Sequence, residues 1–218
     1  YYKKQNPQFL KGNYRKNSHN VTMQLAILIL AAGKASRMGA VKQLLKVKGT
    51  SLLENAIANS KKLENTTVVC VLGAHAAEIK KTIALKSVAF TINKDYAQGL
   101  SSSIIAGIKY LQEQNIQFDG IFIQLADQPA IELAYYQEMT ALFSKEKTKI
   151  LAANYGNKYG VPAIFPKAFI NDLLKITGDK GAKEFLQENR KEIISPEVTV
   201  NLLDIDTPEE YNNYLNTL

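Results

Sequence analysis

Seven apolar residues, Leu25 to Ala31, lead without a break into the loop Ala32-Gly33-Lys34-Ala35-Ser36-Arg37-Met38-Gly39. A continuous apolar run this short reads as a strand buried on both faces, not a strand with one wet side. Such a strand belongs to a largely parallel sheet with helices on both faces. Its carboxyl end is then where an open α/β sheet takes a ligand, and the loop stands at that end. Small residues let backbone N–H groups come close to phosphate oxygens, and Arg37 and Lys42 bring cations to the same place. The loop residues Ala32, Gly33, Lys34 and Ser36 are therefore candidate nucleotide contacts.

The rest of the chain repeats the alternation of short apolar runs and amphipathic stretches. Strands are expected at 25–31, 67–72, 88–92, 120–125, 149–153, 161–165 and 198–203. Helices are expected at 51–63, 75–85, 101–114, 132–145, 167–175, 180–190 and 207–216. This order predicts a three-layer α/β domain with a mainly parallel, mixed sheet. Ser101 to Ser103 are placed to cap the third helix, and Thr207-Pro208 to open the last one. The stretch 155–182 departs from simple alternation and is a candidate insertion over the site.

Two common phosphate motifs are excluded. A Walker A loop needs a glycine at position 28, which is Leu28, and there is no G-x-G-x-x-G fingerprint. The strand ends add further candidates: Gly73, Gly99 with Ser101 and Ser102, Asp127, and the pair Asp204 and Asp206. Asp127 follows an apolar run and precedes Gln128-Pro129. A carboxylate there suits an oxygen-ligated Mg²⁺, and it equally suits a helix or turn cap. Asp206 has the same double reading, since Asp-Thr-Pro-Glu-Glu is also a helix start. Residues 204 and 206 can share one face of an extended chain. His75 reads as an exposed loop histidine. No His/Cys cluster suggests zinc, and no Ser-His-Asp order suggests a hydrolase.

The segment Ala31-Ala32-Gly33-x-x-Ser36-Arg37-Met38-Gly39-x-x-Lys42 resembles the signature of the MobA-like nucleotidyltransferases. Ala32 and the Lys42-Gln43-Leu44-Leu45 end resemble the molybdenum-cofactor cytidylyltransferase branch more than the guanylyltransferases, which usually carry a second glycine at the Ala32 position. The resemblance spans roughly residues 23 to 216. It implies a Rossmann-like nucleotidyltransferase fold and transfer of CMP from CTP to a molybdopterin-type acceptor, with pyrophosphate leaving. It implies Mg²⁺ on Asp127 and Asp206, with Asp206 preferred over Asp204, and catalytic roles for Arg37, Lys42 and Asp127. Gly160-Val161-Pro162 and Gly178-Asp179-Lys180-Gly181-Ala182-Lys183 resemble acceptor-side segments, which makes Gly160, Pro162, Asp179 and Lys183 acceptor candidates. Lys183 stands where Arg is common, so the charge is kept and the bidentate fork is lost. GTP or a sugar- or alcohol-phosphate acceptor, or a non-catalytic carrier serving a molybdoenzyme, are the alternative readings.

Charge tests a nucleic-acid reading. The chain carries a net +7, but five basic residues and no acid lie in residues 1–22. The remainder, residues 23–218, is close to neutral and is expected to be one nucleotidyltransferase domain without nucleic-acid motifs. Residues 1–22 are expected to be a disordered basic tail, natural or an extension ahead of Met23. The lone Cys70 lies in an apolar run and is expected to be buried. No run reaches 18 apolar residues, and cysteine use fits a reducing compartment, so a cytoplasmic protein without a membrane partner is expected.

Overall fold

The computed structural model describes residues 22–83, 88–178, 181–198 and 200–218. Most of the expected tail, and Asp179, lie outside the described residues. The strands are β1 (Leu25–Ala31), β2 (Lys46–Val47), β3 (Thr50–Ser51), β4 (Thr66–Leu72), β5 (Ala89–Ile92), β6 (Gly120–Leu125), β7 (Ile150–Asn154), β8 (Tyr159–Pro166) and β9 (Ile193–Ile194). The α-helices are α1 (Leu52–Ser60), α2 (Ala76–Thr82), α3 (Leu100–Glu113), α4 (Leu133–Lys145), α5 (Ile170–Leu173), α6 (Gly181–Glu188) and α7 (Pro208–Leu215).

A seven-stranded sheet runs in the order β5-β4-β1-β6-β8-β7-β9. β1 is buried along its whole length and pairs in parallel with β4 and β6, so Ile27 lies opposite both Val68 and Phe122. Alternate β1 residues feed two cores. Ala26, Leu28 and Leu30 pack with Ile104 and Ile108 of α3 and Phe185 of α6. Ile27 and Ile29 pack with Ile57 of α1, Ile79 of α2 and Met139 of α4. Those two faces make the three-layer α/β arrangement expected from the alternation. Cys70 is fully buried in β4, and burial pushes its thiol up to about 12.

The stretch 155–182 is not an insertion. It supplies β8, which lies antiparallel between β6 and β7 and is part of the sheet itself. Among the described residues of the expected strand 198–203 no ladder pairing occurs, and the short β9 takes the β7 edge instead. Val200 and Leu202 still pack on the core, so their alternation records packing without strand pairing. The serine cap on α3 is also corrected. Gly99, at φ +96°, opens that helix with no side-chain cap, a dihedral that glycine adopts without strain. The expected helix 167–175 is a 3₁₀ turn (Lys167–Phe169) followed by the single turn of α5.

α7 starts as its sequence dictates. Thr207 accepts from the Glu210 N–H while Glu210 reaches back, and Pro208 sits in the first turn. A third, smaller apolar cluster joins Met38, Val47 and Leu52 to Ile205 and Tyr214. It fastens the C-terminal segment beneath the Gly33 loop, so residues far apart in sequence meet at one strand edge.

Candidate active site

The loop after β1 is braced from the side. Ala32 O accepts from the Ala74 N–H at 3.2 Å, and His75 Nε2 lies 3.0 Å from Lys34 O. A Cβ on Gly73 would stand 2.6 Å from Ala32 O, so only glycine allows β4 to approach this closely. Gly73 thus shapes the loop from behind. From below, buried Gln43 donates from Nε2 to Ala31 O at 3.1 Å. His75, read from sequence as an exposed loop histidine, is a brace on the loop. Gln43 is read from sequence only as part of the Lys42–Leu45 segment; its bracing role shows once the chain folds back.

A cavity of about 370 Å³ opens at this edge, lined by Ala32, Gly33, Lys34, Lys42, Gly99 and Asp127 among others. Ser103 also lines it, whereas Ser102 faces a neighbouring cavity and Ser101 is buried. Asn93 orients the two outer hydroxyls, donating from Nδ2 to Ser102 Oγ at 2.8 Å and Ser103 Oγ at 3.0 Å. Lys34 Nζ sits 5.8 Å from the centre of the Tyr96 ring across the mouth. Ser36 and Arg37 lie outside the cavity on the exposed part of the loop.

Lys42 and Asp127 line the cavity, and an ion-pair network extends from them to Asp206 and Arg37 at its edge. Lys42 Nζ is paired with Asp127 Oδ2 and lies 2.7 Å from Asp206 Oδ1. Arg37 Nη2 lies 2.8 Å from Asp206 Oδ2. Burial works against the Lys42 charge, but the neighbouring Asp127 and Asp206 outweigh it and raise its pKa above 10.5. Partial burial likewise opposes ionisation of Asp206, yet Lys42 and Arg37 hold its carboxyl below the usual range. Backbone bonding fixes the geometry: the Ile205 N–H donates to Asp127 O at 3.0 Å. Asp127 Oδ1 is buried without a hydrogen-bond partner. An orphaned carboxylate oxygen beside a second carboxylate fits an oxygen-seeking divalent cation that keeps positions for water and phosphate. Among the described residues no cluster of three or more His, Cys, Asp or Glu side chains is placed to hold a metal.

Asp204 is separated from this network. Its Oδ1 accepts from Gln128 Nε2 at 2.8 Å, and it lines a second cavity of about 170 Å³ with Tyr155, Gly160 and Lys183. Partial burial, reinforced by the charges of Asp127 and Asp206, raises its pKa despite the Gln128 hydrogen bond. The two cavities meet at Leu100 and Leu125, which line both. Pro162 is buried in β8 and lines neither. Gly160 has a steric reason: a Cβ there would lie 2.8 Å from the Tyr155 ring.

The model of the MobA-like NTP transferase domain matches residues 27–193. The chain belongs to that family. Family relatives share most of its length under different names. Purine catabolism protein PucB of Bacillus subtilis is 28% identical, over 85% of this chain and 93% of its own. Nicotine blue oxidoreductase of Paenarthrobacter nicotinovorans is 28% identical, over 74% and 80%. Molybdenum cofactor cytidylyltransferase of Escherichia coli is 25% identical, over 84% and 92%. The crystal structure of Rv0371c from Mycobacterium tuberculosis superimposes with a TM-score of 0.78 at 25% identity, covering 89% of this chain and 98% of that one. The MobA-like family and the mixed, mostly parallel fold place this chain among the nucleotidyltransferases. No helix among the described residues is long and apolar enough to cross a membrane.

Proposed function

We propose that this chain transfers CMP from CTP to the phosphate of a molybdopterin-type acceptor, releasing pyrophosphate. The observation that carries the reading is the pairing of Lys42 with both Asp127, which lines the cavity behind the Gly33 loop beside it, and Asp206 next to that cavity. The CTP and molybdopterin assignments draw on the Ala31–Lys42 signature and on the named cytidylyltransferase relative.

Nucleotidyl transfer asks for positioning and charge neutralisation more than for covalent chemistry. Ala32, Gly33, Lys34 and Ser36 offer the triphosphate a small-residue loop, and Gly99 at the facing edge keeps the cavity open to the nucleotide. The Arg37 fork suits two oxygens of the departing pyrophosphate. Lys42 moves from its carboxylates toward the α-phosphate as substrate enters. Asp127 and Asp206 would hold a Mg²⁺ ion, which would supply the remaining neutralising charge. Acceptor phosphate approaches from the adjoining cavity, where Lys183 stands at the wall. Residues 23–218 act as one catalytic domain.

The test is a thermal-shift series with CTP, GTP, UTP, ATP and NADPH, each with Mg²⁺, followed by turnover with purified acceptor. At about 100 Kd, binding adds roughly 2.7 kcal/mol, or about 5–10 °C for a chain of this size. A selective CTP shift with pyrophosphate release on adding molybdopterin is expected. A selective GTP shift would move the chain to the guanylyl branch. A selective NADPH shift would favour the redox reading raised by the name of the nicotine blue relative. Binding without pyrophosphate release would leave a carrier.

A further inference from the structure

The narrow cavity beside the one behind the Gly33 loop has a polar wall, Asp204 and Tyr155, that the larger cavity does not share. Gln128 is buried and donates to two groups at once: Asp204 Oδ1 at 2.8 Å and the Tyr155 hydroxyl at 3.0 Å. That hydroxyl in turn donates to Val161 O at 2.5 Å. The chain of bonds holds the Asp204 carboxylate in one orientation, and Asp204 Oδ2 has no partner among the described residues. The opposite walls are apolar, built by Leu100, Leu125 and Leu186. Lys158 and Lys183 are exposed at the rim, and neither forms an ion pair among the described residues.

We propose that Asp204 is the specificity residue for the acceptor, and that it pairs with the N–H/NH₂ edge of a flat nitrogen heterocycle. The inference rests on the transfer reading above and goes on to say which atoms select the acceptor. Apolar walls receive the faces of a ring, not the hydroxyl-studded surface of a sugar. A fixed carboxylate accepts two parallel N–H bonds from an aminopyrimidinone edge. The rim lysines then meet the anionic tail that carries the reacting phosphate. Gln128 and Tyr155 are positioning residues that act through Asp204. A site built for such donors discriminates strongly, since the wrong ring leaves the carboxylate facing an oxygen.

The test uses two probes on the full chain: 6-hydroxymethylpterin, and lumazine, in which an oxygen replaces the 2-amino group. Each is titrated by its own fluorescence, with the CTP thermal shift measured in parallel. The pterin is expected to bind at least about tenfold more tightly than lumazine. Asp204→Asn, which keeps an oxygen for Gln128, is expected to erase that preference while the CTP shift persists. Tyr155→Phe, which keeps the ring, should lose part of it. A pterin preference that survives in Asp204→Asn overturns the assignment. So does failure of both rings to bind a protein that still shifts with CTP, and that result leaves the transfer reading standing. Loss of ring binding together with absence of any nucleotide shift in the unmodified chain brings down both.

Discussion

Lys42 Nζ and Asp206 Oδ1 lie 2.7 Å apart although 164 residues separate them in the chain. The contact closes the site: one partner comes from just past the glycine loop, the other from just before the last helix. Asp127 shares the same ammonium, so Lys42 bridges two carboxylates, one of which, Asp206, also pairs with Arg37. The side chain of Lys42 is only 12% exposed, which places this pairing in a weakly screened setting.

Removing that cation separates its two roles. In Lys42→Ala, Asp127 loses its counter-charge and Asp206 keeps only Arg37, so the two carboxylates are less well neutralised. Turnover is expected to fall by on the order of 10²-fold or more, as for other lost charge-stabilising groups. Mg²⁺ affinity without nucleotide is expected to rise, because the ion no longer competes with an ammonium. Calorimetric titration of metal into both proteins checks this; equal affinities would mean that Lys42 does not sit in the metal's way.

The same pair sets a pH limit. Lys42 has a folded pKa above its ordinary value, so its contribution to stability is complete below pH 10.5 and fades as pH climbs through the raised value. Asp206 has the opposite sign: its contribution is present above the unfolded carboxylate pKa and is lost as acid carries pH through the lowered folded value. Melting curves should therefore show an alkaline limb that Lys42→Met flattens, and an acid limb that Asp206→Asn reduces. Unchanged limbs in both variants would show that other groups control them.

Asp127→Asn keeps size and removes charge. With Oδ1 buried and unpartnered, the carboxylate has no side-chain partner except Lys42 among the described residues. Turnover is expected to drop by about 10²–10³-fold with the nucleotide thermal shift losing its Mg²⁺ dependence. Chelation of divalent metal should reduce the unmodified protein to the same level. Activity retained after both treatments would remove Asp127 from the mechanism.

Much of the fold was legible because burial on both faces leaves an unmistakable apolar run, as in β1 and β6. The expected strand at 198–203 failed for a specific reason: its alternation arises from packing Val200 and Leu202, and alternation does not report who occupies the neighbouring sheet edge. At the site, the loop, Lys42, Asp127 and Asp206 could be named because each follows a strand end or a helix-start pattern. Their mutual distances could not. The roles of Gln43, Gln128, Tyr155 and Tyr96 were invisible, since amides and tyrosines take their meaning from partners brought together only by folding. Ser103, not Ser101 or Ser102, lines the main cavity because helix rotation decides which of three adjacent hydroxyls faces inward.

Gly73 offers the sharpest test of how the loop is held. An added Cβ would stand 2.6 Å from Ala32 O and 2.7 Å from Ala32 Cβ, closer than side chains pack. Both contacts involve Ala32, the loop's first residue, so the loop must move to make room. The Ala74 N–H bond to Ala32 O lies in the same place and goes with it. Gly73→Ala is therefore expected to cost about 1–3 kcal/mol of stability, in line with overpacking elsewhere. It should weaken nucleotide binding by more than that loss explains, because the displaced backbone belongs to the loop proposed to hold the triphosphate. Comparing CTP affinity in Gly73→Ala with that in Gly107→Ala separates the effects. Gly107 packs on Leu28 and Val71 in the core, away from the loop. A similar stability loss with intact CTP affinity is expected there. Equal affinity losses in the two variants would show that general strain, and not loop position, governs nucleotide binding.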